Sequence, residues 1–205
     1  MKLYHCRIEE FPDLAGSELL PPARRARMLR YRHWADQARC LVAGLLLRAA
    51  VGDAAKSIGE GENGKPFLHG GPCFNLSHSG EYVILGVSQK ELGVDVERTD
   101  RRQDERIVRR CFQPAEQEWL HAQAETFAFF RLWTAKESVM KATGLGFSMP
   151  PNSFSVLPME NGPHKIEGRV WHLTWAELPG HAVCIAAASP ERPEIRAIGR
   201  EELLG

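Results

Sequence analysis

The chain has no excess of charge of either sign, because 26 Lys and Arg residues balance 26 Asp and Glu residues. Nucleic-acid-binding proteins normally have a basic composition or a strongly basic face, so the composition does not support that class. Hydrophobic residues make up 43% of the 205 residues, a fraction typical of a soluble globular protein. The composition therefore predicts a soluble protein with a sizeable core that binds no nucleic acid.

The sequence also lacks long apolar segments and paired cysteines. Its longest apolar runs, residues 41–47 and 182–188, are too short to cross a bilayer, and the first residues show no signal peptide. The five cysteines are odd in number and include no Cys-x-x-Cys pair. This spacing predicts free thiols and no disulfide or zinc site. We therefore expect a cytoplasmic protein with no membrane segment.

Hydrophobic periodicity predicts an α+β fold. The segments expected to be helical are 22–50 and, with a break near Pro114, 104–142. The strands that the pattern predicts are 82–87, 92–96, 170–175, 182–187 and one around Phe154. Residues 59–71 are rich in turn-forming residues and predict a loop.

A weak internal similarity indicates two related halves. Residues 39–52 match residues 131–144 in length and at their ends, and residues 80–88 parallel residues 180–188. We therefore expect an N-terminal half, 1–98, and a C-terminal half, 99–205, related by pseudo-twofold symmetry. The seam between two such halves would form a cleft, which is a common place for an active site.

Two carboxylates lie on the predicted strand that contains Val94 and Val96. Side chains alternate along a strand, so Asp95 and Glu97 share one face while the valines enter the core. At about 4 Å and an effective dielectric constant of about 20, two such charges repel by about 4 kcal/mol. A magnesium ion would reverse the sign of this effect. The alternative interpretation is a pair of solvated acids at an exposed edge.

A second group of polar residues lies on the predicted helix near residue 137. Glu137 and Lys141 are four residues apart and share a face with Trp133, and Lys136 lies beside this face. The pattern is compatible with a neighbouring functional site that Lys136 can reach. It is also compatible with a surface salt bridge worth a few tenths of a kcal/mol.

The third group is residues 74–80, which we interpret as a loop leading into a strand. Ser77 and His78 in this segment suit contacts to phosphate oxygens, although Asn, Ser and Gly also favour ordinary turns. The sequence contains no Gly-x-Ser-x-Gly elbow, no His-x-x-x-His helix and no Walker-type loop. It therefore gives no support to a serine hydrolase, a zinc enzyme or a nucleoside triphosphatase.

The three groups together resemble the signature motifs of the Sfp-type 4′-phosphopantetheinyl transferases. The matching segments are 74–79 (Phe-Asn-Leu-Ser-His-Ser), 93–97 (Gly-Val-Asp-Val-Glu) and 133–141 (Trp-Thr-Ala-Lys-Glu-Ser-Val-Met-Lys). Further similarity lies at 64–66 (Gly-Lys-Pro), 154–156 (Phe-Ser-Val) and 201–204 (Glu-Glu-Leu-Leu), so the resemblance covers most of the chain. Ser138 is a mild departure from the motif. The length resembles that of the large, two-halved branch, which implies a monomer built as a pseudo-dimer.

The resemblance implies transfer of the 4′-phosphopantetheine arm of coenzyme A to a serine of an apo carrier protein, with release of adenosine 3′,5′-bisphosphate. The carrier could be of the acyl, peptidyl or aryl class. Asp95, Glu97 and Glu137 would hold Mg²⁺. Glu137 would also act as the base, directly or through water, and Lys141 would stabilise the departing phosphate.

The resemblance also implies contacts to coenzyme A. Ser77 and His78 would contact its phosphates, and we count His78 with the catalytic residues. Lys65 would lie at the adenosine end, while Arg24 and Arg27 would hold the 3′-phosphate. Cys40 stands where the family has a hydroxyl near the adenine. We expect the carrier protein to dock against residues 107–120, and the residues expected to contact it are Arg109, Arg110, Phe112 and Trp119. Helix packing and solvated arginines are the alternative interpretation of these four residues.

Two other functions share some of these residues. A metal-dependent diphosphate hydrolase would cleave coenzyme A or a related nucleotide without a protein acceptor. A non-catalytic coenzyme-binding module would have no need for a base at residue 137. The choice among fatty-acid, polyketide and nonribosomal-peptide carriers and the number of magnesium ions stay open at this stage.

Overall fold

A computed structural model of the chain describes residues 1–123 and 125–205, apart from the side chains of Lys56 and Phe147. Two four-stranded sheets, each covered by a long helix, form the body of the protein, and a two-stranded sheet is added to them. The α+β class predicted from the sequence is therefore confirmed.

The elements have the following bounds. The strands are β1 (Lys2–Arg7), β2 (Ile58–Glu60), β3 (Pro66–Leu68), β4 (Cys73–Ser79), β5 (Tyr82–Ser88), β6 (Leu92–Arg98), β7 (Gly162–Ile166), β8 (Arg169–Leu178), β9 (His181–Ala187) and β10 (Glu194–Ala197). The helices are α1 (Pro22–Leu29), α2 (Trp34–Val51), α3 (Glu105–Cys111), α4 (Pro114–His121), α5 (Thr126–Thr143) and α6 (Arg200–Leu204).

The two large sheets share the arrangement of three of their four strands. The first sheet has the order β10-β1-β5-β4, and the second has the order β6-β9-β8-β7. In the first sheet, β1 precedes the long helix α2 and pairs antiparallel with β5, the second strand of the β4–β5 hairpin. In the second sheet, β6 precedes α5 and pairs antiparallel with β9, the second strand of the β8–β9 hairpin. Strand β6 belongs to the second sheet although it lies within residues 1–98, and β10 returns from the C-terminal part to the first sheet.

The segments with internal similarity form corresponding elements. Helices α2 and α5 each contain 18 residues, and each is followed by a glycine with positive φ, Gly52 at 60° and Gly144 at 71°. Leu41 and Leu45 of α2 belong to the core beside the first sheet, whereas Leu132 and Val139 of α5 belong to the core beside the second. A pseudo-twofold axis between the halves stays a prediction.

Several local expectations are wrong because tertiary contacts override local propensity. The predicted helix 22–50 is divided into α1 and α2, and the predicted loop 59–71 contains the β2–β3 hairpin. Residues 74–79 belong to strand β4, since their Asn and Ser side chains bond to β6 and not to their own turn. Phe154 follows a 3₁₀ turn at Pro151–Ser153 and is not in a strand. The strands near 82–87 and 92–96 form as predicted, but in different sheets.

The sequence-based expectation of free thiols is confirmed, since all five cysteines are unpaired. Two of them, Cys6 and Cys184, are buried in the cores. Within the described part of the chain, no helix is both long enough and apolar enough to span a membrane.

Strand β6 and helix α5 touch backbone to backbone at Gly93. A Cβ atom on this residue would lie 2.1 Å from the carbonyl oxygen of Ser138 and 2.3 Å from the amide nitrogen of Ala142. Neither of these backbone atoms can rotate away as a side chain can. The absence of a side chain at Gly93 is therefore what permits β6 and α5 to lie so close together.

Replacing this glycine should destabilise the fold strongly. We expect Gly93→Ala to lower the free energy of unfolding by about 3 kcal/mol, because β6 must move away from α5. Urea denaturation followed by circular dichroism measures the change. The matched control is Gly199→Ala, where φ is −83° and the nearest atom to the new methyl is 3.5 Å away. An equal loss in both variants would contradict the close contact at Gly93.

Candidate active site

The two large sheets meet along their edge strands β4 and β6, and side chains join them. The amide N–H of Val94 donates to Asn75 Oδ1 at 2.8 Å, and that of Arg98 donates to Ser79 Oγ at 3.1 Å. Between these contacts, Ser77 Oγ donates to Asp95 Oδ1 at 2.8 Å. The polar side chains of β4 are two residues apart and therefore all face β6.

Asp95 and Glu97 lie on one face of β6, as the alternation of the sequence predicts, while Val94 and Val96 are buried in the core. Asp95 is only 3% exposed. Its Oδ1 accepts hydrogen bonds from Ser77 and from Lys141 Nζ, the latter at 2.5 Å, but its buried Oδ2 has no hydrogen-bond partner.

Glu97 lies further along β6, where its carboxylate is partly solvent-exposed. Its Oε2 accepts a hydrogen bond from Ser79 Oγ at 2.8 Å, and Arg101 lies 3.4 Å from the same oxygen. Ser79 of the first sheet therefore fixes the Glu97 carboxylate, and Arg101, which follows β6, offsets its negative charge.

Helix α5 closes the site from the other side. Trp133, Glu137 and Lys141 share one face of the helix, as predicted, and all three line a pocket of about 310 Å³. The residues that complete its lining are Leu76, Ser77, His78, Asp95 and Glu97. The pocket thus brings together the three groups of polar residues that the sequence separates by up to 64 positions.

The electrostatics of the pocket reflect burial and crowding of acids. Desolvation raises the pKa of Glu137, and the negative charge of Asp95 raises it further. Desolvation also raises the pKa of Glu97, while the hydrogen bond from Ser79 opposes that shift. Desolvation lowers the pKa of His78, and the nearby guanidinium of Arg39 acts in the same direction. Burial therefore shifts Glu97, Glu137 and His78 toward their uncharged forms, and a cation near the two glutamates would act against this shift.

The chemistry of these donors fits a magnesium ion that also binds substrate. A buried oxygen without a partner, such as Asp95 Oδ2, costs free energy that a cation would recover. Among the residues that the structure describes, no three His, Cys, Asp or Glu side chains converge closely enough to enclose an ion by themselves. Magnesium usually takes only one or two protein carboxylates and completes its shell with water and substrate phosphates. The pocket carboxylates suit such a partial ligand set.

Comparisons with known proteins agree with this geometry. Residues 91–188 match the model of the 4′-phosphopantetheinyl transferase superfamily. The chain is 34% identical to the 4′-phosphopantetheinyl transferase Sfp of Bacillus subtilis strain 168 over 202 residues, 90% of each protein. It is 33% identical to another Bacillus subtilis 4′-phosphopantetheinyl transferase over 183 residues, 82% of this chain and 81% of that protein. The chain belongs to the 4′-phosphopantetheinyl transferase superfamily.

Similarity within the superfamily extends beyond bacteria. The Xenopus laevis L-aminoadipate-semialdehyde dehydrogenase-phosphopantetheinyl transferase is 29% identical over 174 residues, 71% of this chain and 57% of that protein. The resemblance found in the sequence motifs is thus confirmed at the level of the family. The match of residues 91–188 includes Asp95, Glu97, Glu137 and Lys141.

Three residues that the resemblance assigns to coenzyme A do not line the pocket of this superfamily member. Arg24 Nε donates to the carbonyl oxygen of Cys40 at 3.3 Å, and Arg27 Nε donates to the hydroxyl of Tyr31 at 3.4 Å. The Lys65 ammonium donates to two backbone carbonyl oxygens. Their roles in coenzyme binding stay predictions, although Arg24 does lie beside Cys40, the residue expected near the adenine.

Lys136 does not reach a neighbouring site, contrary to expectation. Its side chain is fully buried on the opposite side of α5, where Nζ lies 2.6 Å from Glu116 Oε2 and donates to the carbonyl oxygens of Pro151 and Phe154. Because Glu137 directly follows Lys136 on the helix, the Glu137 side chain faces the pocket when the Lys136 side chain is held in the core.

The expected docking residue Phe112 is also in the core, at 2% exposure, whereas Arg109 and Arg110 are exposed.

The residues that support the carboxylates were not predicted from the sequence. Asn75 and Ser79 bond to β6, and Arg101 lies beside Glu97. A signal was present, because polar residues at 75, 77 and 79 alternate with other residues as they would along a strand. Treating this segment as a loop concealed that alternation.

Removing the buried Lys136 should destabilise the protein, because the fully buried Glu116 would lose its counter-charge. We expect Lys136→Met to lower the free energy of unfolding by about 3–5 kcal/mol, measured by urea denaturation. Adding Glu116→Gln removes the uncompensated charge, so the double variant should recover part of this loss. A double variant less stable than Lys136→Met alone would contradict the assigned ion pair.

Proposed function

We propose that the protein transfers the 4′-phosphopantetheine arm of coenzyme A to a serine of an apo carrier protein and releases adenosine 3′,5′-bisphosphate. The observation that carries this proposal is the single pocket that brings Asp95, Glu97, Glu137 and Lys141 together in a chain of this superfamily. The reaction joins the serine oxygen to the β-phosphorus and breaks the bond from that phosphorus to the bridging diphosphate oxygen.

Asp95, Glu97 and Glu137 would hold magnesium once their carboxylates close around it, with water and the diphosphate completing its shell. When bound, it supplies positive charge that neutralises the diphosphate. Asp95 Oδ2 is the free oxygen best suited to it, since Oδ1 already accepts from Lys141. Glu137 would take the proton of the serine hydroxyl, for which a pKa raised above that of an ordinary glutamate is suited. Lys141 would stabilise the leaving phosphate, and Ser77 and His78 would contact the other phosphate oxygens.

The remaining assignments are part of the same proposal. Arg24 and Arg27 would hold the 3′-phosphate after rearranging from their present partners. The exposed Arg109 and Arg110 would face an acidic surface of the carrier, which could serve fatty-acid, polyketide or nonribosomal-peptide synthesis.

We propose a cytoplasmic monomer whose halves, 1–98 and 99–205, are related by pseudo-twofold symmetry and face the cleft. The diphosphate hydrolase alternative gains no support, since the relatives described above carry transferase names.

Transfer can be tested by mass spectrometry of apo carrier proteins incubated with the protein, coenzyme A and Mg²⁺. We expect one carrier class or more to gain the mass of the phosphopantetheine arm. Glu137→Gln should lower the rate by at least about 100-fold through loss of a base and a metal ligand. The matched control is Glu194→Gln, which changes an exposed glutamate on β10. Release of the bisphosphate without any carrier would favour the hydrolase, and no mass gain with any carrier class would overturn the proposal.

Magnesium binding should depend on pH through the two glutamates. The raised pKa values mean that Glu97 and Glu137 hold protons more strongly in the folded than in the unfolded state. Without metal, their contribution to stability is therefore greatest below the ordinary glutamate pKa and is lost as pH rises through the raised values. Because Mg²⁺ requires deprotonated ligands, its affinity should rise over the same interval.

The measurement is the shift in thermal unfolding temperature on adding Mg²⁺ at about pH 5 and about pH 7. We expect a clearly larger shift at the higher pH for the unaltered protein. The double variant Glu97→Gln/Glu137→Gln should show a small shift at both values. A pH-independent shift in the unaltered protein would exclude these glutamates as magnesium ligands.

A further inference from the structure

The Lys65 side chain connects three segments that are distant in sequence. From the turn between β2 and β3, its ammonium donates to the carbonyl oxygen of Leu92 at 3.0 Å and to that of Ala142 at 2.8 Å. Leu92 is the first residue of β6, and Ala142 lies in the last turn of α5. A cation at this end of a helix is favourable, because the final carbonyl groups carry partial negative charge and lack helical partners.

Both carbonyl groups belong to the elements that carry the pocket residues. Along β6, Leu92 is followed by Asp95 and Glu97, and on α5 Ala142 directly follows Lys141. Gly93 directly follows Leu92, and a Cβ atom on it would be 2.3 Å from the amide nitrogen of Ala142. The Lys65 ammonium therefore holds β6 and α5 together at the point where their backbones touch.

The path of the Lys65 side chain depends on the residue that ends α5. A Cβ atom at Gly144 would lie 3.2 Å from Lys65 Cδ, and the φ of Gly144 is 71°. Glycine at this position both permits the backbone conformation and leaves room for the aliphatic part of the lysine. The ammonium is thereby guided to the two carbonyl oxygens and away from the pocket, which it does not line.

We propose that Lys65 is a positioning residue that fixes β6 against α5, and thereby the spacing of the pocket carboxylates, without contacting the adenosine end of coenzyme A. This inference rests on the function proposed above for the pocket between β6 and α5. It replaces the role that motif resemblance assigns to this lysine. It predicts that loss of the ammonium weakens every ligand of the pocket, whether or not the ligand contains adenosine.

Titration calorimetry with two probes separates the two roles. Inorganic pyrophosphate with Mg²⁺ contains the diphosphate but no adenosine, whereas coenzyme A with Mg²⁺ contains both. For Lys65→Met we expect affinity to fall by a similar factor, about 10- to 100-fold, for both probes. Weaker binding of coenzyme A with unchanged binding of pyrophosphate would overturn the proposal in favour of an adenosine contact. The matched control is Lys90→Met, an exposed lysine between β5 and β6, which should bind both probes normally.

A second measurement needs neither ligand nor activity. Hydrogen exchange of backbone amides in β6 and in the last turn of α5 should be about tenfold faster in Lys65→Met, because these elements are less firmly held together. Exchange elsewhere and exchange in Lys90→Met should not change. Unchanged exchange in β6 and α5 would overturn the positioning role even if transfer is observed. If the unaltered protein binds neither probe, the proposed function fails while faster exchange would still support the role of Lys65 in holding β6 to α5.

Discussion

The hydrogen bonds between β4 and β6 are the interaction on which the rest of the site depends. Two edge strands face each other, and Asn75 and Ser79 accept hydrogen bonds from backbone N–H groups of β6 that a backbone ladder would otherwise satisfy. Ser77 and Ser79 also donate to the side chains of Asp95 and Glu97. Because two of these bonds end on the carboxylates of Asp95 and Glu97, the joint between the sheets and the candidate metal site are the same group of residues. Any change in how the sheets meet would alter the site directly.

This arrangement explains why the pocket is electrostatically unfavourable without a cation. Burial and the negative charge of Asp95 raise the pKa values of Glu97 and Glu137, and one oxygen of Asp95 is buried without a partner. Lys141 offsets part of the negative charge by bonding to Asp95. On the other side of α5, the fully buried pair Lys136 and Glu116 anchors the helix in the core. A firmly held helix thus presents Glu137 and Lys141 to the pocket, where the proposed metal and substrate would bind.

The sequence was informative where function requires particular residues at fixed spacing. Alternation along β6 placed Asp95 and Glu97 on one face, and helical spacing placed Glu137 and Lys141 on another. It was misleading where polar residues serve tertiary contacts. Asn75 and Ser77 suggested a turn because such residues usually bond to their own backbone, whereas here they bond to another strand. Lys136 was expected to reach a neighbouring site, but it is buried because it pairs with Glu116. Glu116 is 20 residues away, so the local pattern around Lys136 does not indicate this burial.

By itself, the sequence determined the α+β class, the family and most of the residues that line the pocket. These properties follow from local periodicity and from short motifs, and each motif lies completely within one short segment of the chain. Only the tertiary structure decided that β5 and β6 enter different sheets, that β10 returns to the first sheet, and that Lys65 bridges β6 and α5. Such pairings depend on hydrogen bonds and close backbone contacts between distant segments, and local pattern does not encode which donor meets which acceptor.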